Sequence, residues 1–489
     1  MNFKLLLKVL GWIVLLLAAS MLVCESYAFA SEEAGGGEHH DFALLKSFFA
    51  ALVLGGVLIF FGRGSGKDVL RKEAVAIVGL GWLISTLVGA LPYMLCSPAL
   101  EPADALFESA SGFTTTGATI ISNLDLFPRS ILLWRSATQW LGGMGILVLF
   151  VALLSTLGVG GKALFLNESS AQTGYGFHTR IRQTAMRLWQ IYAVLTVVCA
   201  LGLMLLGMSV YDAVLHAFSA VSTGGFSPHN ASVAVYDSAA IDGWLCLFMA
   251  LGGASFLLMA WVLRGGIGKV RQDEELRAYG ALLFAATAVI ALNLVMLSGE
   301  SFERALQLSS FQVVSIMTTT GFATANFDSW PLFSQILLVL LMFCGGCSGS
   351  TAGGIKISRV LIFFKAVRQQ LLNSFRPNQH LSIKLNGQVL DESQVARTVF
   401  FLSFSGFLVG ISTLALALLE VDLDIVSTFT AVVASLFNIG PGLGRVGPAG
   451  NYAFFSEASK VLLSVLMILG RLEIFCLLAL LMPSLWKKY

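Results

Sequence analysis

Four short Thr/Gly turns, each set between apolar runs, constrain this chain more than any other feature. They are Ser111-Gly112-Phe113-Thr114-Thr115-Thr116-Gly117, Ala220-Val221-Ser222-Thr223-Gly224-Gly225-Phe226, Met317-Thr318-Thr319-Thr320-Gly321-Phe322 and Leu436-Phe437-Asn438-Ile439-Gly440-Pro441-Gly442. Taking Gly117, Gly224, Gly321 and Gly440 as their centres, the spacings are 107, 97 and 119 positions. The chain therefore reads as one unit present four times. Non-helical backbone at membrane depth is tolerated only when it is buried in protein or lines a water-filled cavity. Four such turns around one axis imply an ion filter.

The membrane setting follows from composition. Of 489 residues, 56% are hydrophobic and 12% charged, and mean hydropathy is +0.82; soluble domains carry about 25% charged residues. The chain reads as a polytopic protein of the lipid bilayer. A net charge of +2 says little about partners. No nucleophile–base pair, metal-ligand set or phosphate loop is evident. Gly66-Lys67 is followed by Asp68 and Gly161-Lys162 by Ala163, where a phosphate loop needs Ser or Thr. The sequence excludes an enzyme and assigns nucleotide sensing to another subunit. Cys344 and Cys347 form a C-x-x-C without a second pair, and small-residue helix packing is preferred there over redox or metal chemistry.

Apolar runs near 5–24, 42–62, 74–96, 128–157, 186–208, 241–263, 277–298, 331–365, 395–419 and 454–485 give ten crossings. Segments 103–114, 211–222, 302–317 and 424–437 are too short to span and read as re-entrant half-helices. Asp104, Asp212, Asp422 and Asp424 sit at half-helix starts, as caps and dipole partners should. The fold class is an all-α membrane protein: four pseudo-symmetric helix–half-helix–helix units around a pore, plus two N-terminal helices. The boundaries are 1–70, 71–183, 184–273, 274–393 and 394–489. Asn386-Gly387 marks a small hairpin in the connection before the last unit.

Lys and Arg cluster on one side of the spans: Arg63 and Lys67; Lys162, Arg180 and Arg182; Arg264 and Lys269; Lys365, Arg368 and Arg376; Lys487 and Lys488. By the positive-inside rule both termini are cytoplasmic and the turns open outward. Glu25, Glu32, Glu33, Glu38, Asp41, Glu101, Asp104, Glu108 and Asp125 then make an acidic vestibule. Lys4, Lys8 and the run Val9 to Val23 also imitate a cleavable signal peptide. A retained helix is preferred, because it closes the topology. His39 and His40 read as a solvated loop rather than a metal site, and His216 as packed.

A cation entering a narrow pore must exchange its water for other oxygens, which inward-facing carbonyls supply. Glycine permits the positive φ that such a turn needs. The candidate potassium filter is Thr115, Thr116 and Gly117; Ser222, Thr223 and Gly224; Thr319, Thr320 and Gly321; and Asn438, Ile439 and Gly440. Ordinary glycine helix caps are the bland alternative.

Phe107-Glu108-Ser109 through Thr119, Gln139 to Gly145, Gly224-Gly225-Phe226-Ser227, Trp330 to Phe333, Asn438 to Gly444 and Gly470-Arg471-Leu472-Glu473 resemble the Trk/Ktr/HKT superfamily of potassium transporters, in particular its bacterial Trk subunits. The resemblance covers nearly the whole chain. It implies a filter with one glycine per unit, K+ as the transported ion, a homodimer, a bacterial inner-membrane location and a cytosolic nucleotide-binding regulatory partner of the TrkA kind.

The stretch Pro331 to Val367 is too long for one crossing, and ten small residues, 345–354, interrupt it. Glycine costs about 1 kcal/mol relative to alanine in a helix, so this run should unwind. Gly345, Gly346, Ser348, Gly349, Ser350, Gly353 and Gly354 are the candidate gate, in agreement with the resemblance; close helix crossing is the alternative. Arg471 falls inside the last span, where a charge faces a cavity or a partner. It is expected on the pore wall against this loop, as a barrier to cations, or else in an ion pair with another helix. Lys356 and Arg359 read as cytoplasmic anchors or partner contacts. A K+/H+ or K+/Na+ symporter with alternating access is the rival reading, with Glu108 and Glu473 as its candidate carriers.

Overall fold

The computed structural model describes residues 1–33, 42–64, 70–145, 181–263, 265–376 and 382–487. Glu38, His39, His40, Asp41, Lys67, Arg264, Lys488 and the segment 146–180, with the far half of the expected span 128–157, lie outside the described residues.

The described residues are mostly helical. Helices Phe3–Glu33 and Ala43–Phe61 pair through small residues: a Cβ on Gly11 would lie 2.9 Å from the Gly55 carbonyl oxygen, and one on Gly62 would lie 2.6 Å from the Lys8 nitrogen. Without side chains there, the two backbones approach closely. Leu5, Val9, Ile13, Val14 and Leu17 of the first helix are fully buried.

Each of the four following units opens on a long helix, Arg71–Leu95, Ile181–Leu205, Glu274–Ser298 or Glu392–Leu419. With the first two helices, these supply the six described helices long and apolar enough to cross a membrane. A short helix follows in each unit: Pro102–Phe113, Val210–Val221, Phe302–Met317 and Ile425–Leu436. The expected half-helices match to within one residue at either end. Their starts differ in chemistry. Ser209 and Ser301 accept the capping bonds from Asp212 N and Arg304 N, Asp424 accepts from Ser427 N, and Glu101 makes no side-chain cap before Pro102. Asp104 and Asp212 lie in the first turn, where a carboxylate still favours the dipole.

The second helix of every unit stops halfway, which corrects the expected continuous spans at 241–263 and 454–485. Arg129–Gly143 ends at Gly142-Gly143, and Ala239–Gly253 ends at Gly252-Gly253 before the chain turns by 100° into Phe256–Val262. Leu332–Met342 ends just before Gly345-Gly346, and Glu457–Arg471 ends at Gly470-Arg471. Glu473 (φ 53°) and Ile474 (φ 67°) then break the last span before Phe475–Leu480. Glycines make these interruptions possible because the backbone there packs directly on other backbone. A Cβ on Gly142 would lie 1.8 Å from Phe113 O, and one on Gly470 1.8 Å from Leu436 O.

Strands Lys384–Leu385 and Gln388–Val389 form the expected hairpin, with Asn386 (φ 50°) and Gly387 (φ 77°) at its turn. Positive φ at both central residues matches the right-handed twist of a tight hairpin.

Candidate pore and gate

The four half-helices end in one shared motif. The N–H groups of Thr116, Gly224, Thr320 and Ile439 reach back to the carbonyls of Ser111, Ser219, Ser315 and Ala434 at 2.8–2.9 Å. Thr115, Thr223, Thr319 and Asn438 just before them all hold φ near 55°. This satisfies the last helical carbonyls, but a left-handed conformation is strained for branched Thr and costs on the order of 1–3 kcal/mol each. Such strain persists only where the surroundings impose it.

The next residue sets the register. Gly117, Gly225, Gly321 and Gly440 hold φ of 82°, 77°, 85° and 101°. The central glycine of the second turn is thus Gly225, and Gly224 occupies the position of Thr116, Thr320 and Ile439. A side chain at any of these four glycines would strike the next unit. A Cβ on Gly117 would lie 2.2 Å from Gly224 O, on Gly225 1.9 Å from Thr320 O, on Gly321 2.3 Å from Ile439 O, and on Gly440 2.6 Å from Thr116 O. The sequence of contacts passes from unit one to four and back to one, so the turns close a ring.

Hydroxyls in the ring are occupied by structural bonds. Thr114 and Thr116 share a 2.7 Å hydrogen bond, as do Thr318 and Thr320; Asn438 Nδ2 donates to Thr116 Oγ1 at 2.9 Å. Behind the ring, Gln139 Nε2 donates to Gly224 O at 2.7 Å, and its oxygen accepts from Phe226 N at 3.0 Å. Tyr452 donates to Gly440 O at 2.9 Å and Ser315 to Phe322 O at 2.7 Å. Glu108, expected in the vestibule, is instead fully buried: it pairs with Arg135 at 2.7 Å and accepts from Thr119 Oγ1 and Ile120 N, which braces the strand after Gly117.

A cavity of about 180 Å³ opens on one side of the ring and touches Gly117, Gly225, Gly321 and Gly440. Its described lining is neutral apart from Arg135 and His229. Asp104 is paired with Lys460. The acidic mouth expected from sequence is therefore absent from this lining. His229 accepts company from Asp212 at 3.5 Å and from the Tyr236 hydroxyl at 3.2 Å. The hydrogen bond to Asp212 raises the His229 pKa above the ordinary imidazole value, against the effect of burial. His216 is packed, with Nδ1 on Asp212 O and Nε2 on Ser227 Oγ.

Residues 343–356 cover the other side of the ring without forming a helix. Gly353 N donates to Thr319 Oγ1 at 2.7 Å, and Thr351 Oγ1 lies 3.4 Å from Thr223 Oγ1. Arg471 joins the same surface. Its Nη1 donates to Thr115 Oγ1 at 3.1 Å and Thr351 O at 2.8 Å, and its Nη2 to Gly142 O at 2.7 Å and Gly143 O at 2.9 Å. All four strained residues thus meet the loop or the arginine: Thr115, Thr223 and Thr319 through these polar contacts, and Asn438 by packing on Gly353, where a Cβ would lie 2.9 Å from the Asn438 Cβ. The loop is held elsewhere too. Cys347 N and Thr351 N donate to Gly253 O and Gly252 O, Phe256 N donates to Gly349 O, and Glu275 accepts from Ser348 N at 2.6 Å. Lys356, read as an anchor, is buried with its ammonium on Ala352 O. Arg359 pairs with Glu473 at 2.5 Å and lies over the Phe401 ring.

Three positions of the ring and its covering loop escaped the sequence. Gly225 was hidden by its adjacent glycine, and Thr351 by its small neighbours, although it is the only hydroxyl with a branched carbon in that run. Glu275 stood at a charged helix start that reads as a boundary. Arg471, which the sequence did single out, falls where the other units carry Gly143, Gly253 and Gly346, and aligning these Leu-Gly-Gly-type strings would have exposed the helix breaks as well.

Residues 40–488 match the family model described as TrkH, cation transport protein. The Trk system potassium uptake protein TrkH of Escherichia coli K12 is 38% identical over 494 residues, covering 100% of both chains. TrkG from the same strain is 32% identical over 457 residues, covering 91% of this chain and 92% of its own. A crystal structure of the potassium transporter TrkH from Vibrio parahaemolyticus superposes with a TM-score of 0.88 at 36% identity and full coverage of both chains.

Proposed function

The chain belongs to the TrkH family of cation transport proteins, a family of transporters rather than enzymes, and on that premise we propose that it takes up potassium across a bacterial inner membrane. The ion passes through the ring of the four turns, where backbone carbonyls replace part of its hydration shell. Residues 345–354 and Arg471 block the path beneath. Both termini lie in the cytoplasm, the cavity at Gly117 faces outward, and the chain works as a homodimer with a cytosolic nucleotide-binding regulatory subunit.

One observation carries this reading: the closed glycine ring, in which each unit's backbone abuts the next and no side chain fits. Four half-helices point their C-terminal ends at it, so their partial negative charges favour a cation there. On the opposite side, a guanidinium bonded to Thr115 places a positive charge against the same path. Ion flow then requires the loop and the arginine to move away from the strained Thr residues.

Symport through alternating access has less support, because both candidate proton carriers are committed. Glu108 is locked to Arg135, and Glu473 to Arg359. Flux in vesicles separates the two readings. With a potassium gradient and no proton or sodium gradient, a gated pore gives passive, saturating potassium flux. Strict dependence on a second ion would establish symport instead.

A further inference from the structure

Three consecutive carboxylates, Asp273, Glu274 and Glu275, begin helix Glu274–Ser298; the first two hold one part of the chain and the third another. Asp273 Oδ2 accepts from Asn386 Nδ2 at 2.8 Å, in the turn of the hairpin. Glu274 accepts from Asn386 N at 3.0 Å, and its own N–H donates to Asn386 Oδ1 at 2.7 Å. Its carboxylate also meets Lys365, whose ammonium donates to Lys384 O at 2.7 Å. Glu275 turns the other way and is buried. One of its oxygens accepts from Ser348 N at 2.6 Å, Ser348 Oγ at 3.0 Å and Ser358 N at 3.0 Å. Ser358 stands in the first turn of helix Ile357–Phe375, so the carboxylate also meets that helix dipole favourably.

We propose that Asp273-Glu274-Glu275 is a lever joining the hairpin at 384–389 to the loop at 345–354, with Glu275 as the positioning residue that latches the loop shut. The proposal rests on the reading of that loop as the gate. The mechanical argument is short. A helix start is stiff, and three adjacent residues on it cannot move independently. Displacing the hairpin pulls on Asp273 and Glu274 and therefore shifts Glu275 against Ser348 and Ser358. A carboxylate that accepts three donors in a buried site holds them strongly, and releasing it frees the middle of the loop. Beside the hairpin a cavity of about 660 Å³ opens among Lys269, Asp273, Glu274, Arg277, Asn386 and Gln394, which leaves the hairpin room to move.

Reconstituted full-length protein tests the lever through basal potassium flux, with size-exclusion profile and potassium over sodium selectivity measured alongside. Glu275→Gln keeps the shape and removes the charge, and it should raise basal flux about tenfold, the effect of weakening one charge-assisted hydrogen bond. Asn386→Asp sets a third carboxylate against Asp273 and should also raise flux. Asp273→Asn should restore the wild-type level in that background, since Asn caps the helix as well as Asp does. Most diagnostic is the combination: on Glu275→Gln, Asn386→Asp should add nothing, because the latch is already released. Independent, multiplying effects would overturn the lever, as would unchanged or lower flux in Glu275→Gln while Arg471→Ala raises it. If neither Glu275→Gln nor Arg471→Ala raises flux, the gate reading itself fails.

Discussion

Replacing Arg471 by Ala should open the path beneath the ring. The guanidinium nitrogen lies 3.1 Å from Thr115 Oγ1, so an ion at the inner end of that turn stands about 6 Å from the charge. At an effective dielectric of about 20, two unit charges at that separation repel by ~3 kcal/mol, or roughly two orders of magnitude in rate. Loss of the bonds to Thr351 O, Gly142 O and Gly143 O acts in the same direction, because it frees the loop. Rubidium uptake into vesicles containing only this chain is the assay, with Arg471→Lys as the control. Lysine keeps the charge without spanning the four oxygens, so its flux should rise about tenfold less than that of alanine. Equal fluxes for wild type and Arg471→Ala, in protein with an unchanged size-exclusion profile, would refute the barrier argument.

Three further outcomes follow from the geometry. Gly225→Ala should abolish flux, since its Cβ would sit 1.9 Å from a backbone carbonyl, whereas Gly224→Ala presses on the Gln139 side chain and should leave part of the flux; the reverse order would restore Gly224 as the central glycine. Glu108→Gln leaves Arg135 buried without its charge partner and should cost about 3–5 kcal/mol, read as a lower Tm in detergent together with lost flux. Asp212 raises the His229 pKa above its ordinary 6.5, so the pair's contribution to stability is full below pH 6.5 and is lost as pH rises through the raised value. Wild-type Tm should therefore fall over that window more than the Tm of His229→Gln, and parallel curves would count against the pair.

The half-helices were legible because their length, their polar starts and their Thr/Gly ends are all local. The breaks in the second helices were not, except the one at 345–354. Gly252-Gly253 inside an apolar run looks like close helix packing until Val221 O and the loop N–H groups are seen against it. Glu108 illustrates the same limit for charge. Its spacing from the first span places it among exposed acids, and only the fold brings Arg135, 27 positions away, within 2.7 Å. The gate loop could be read from its glycines and Arg471 from its charge inside a span, but the Glu275 anchor could not, since it starts a helix 73 positions away from the loop residue it holds.

The most direct test of the central claim is the location of rubidium in a structure of the protein with that ion. The account predicts anomalous density on the axis of the ring formed by Thr116, Gly224, Thr320 and Ile439 with Gly117, Gly225, Gly321 and Gly440, and loss of that density in Gly225→Ala. Density only at other sites, with an empty ring at saturating rubidium, would contradict it.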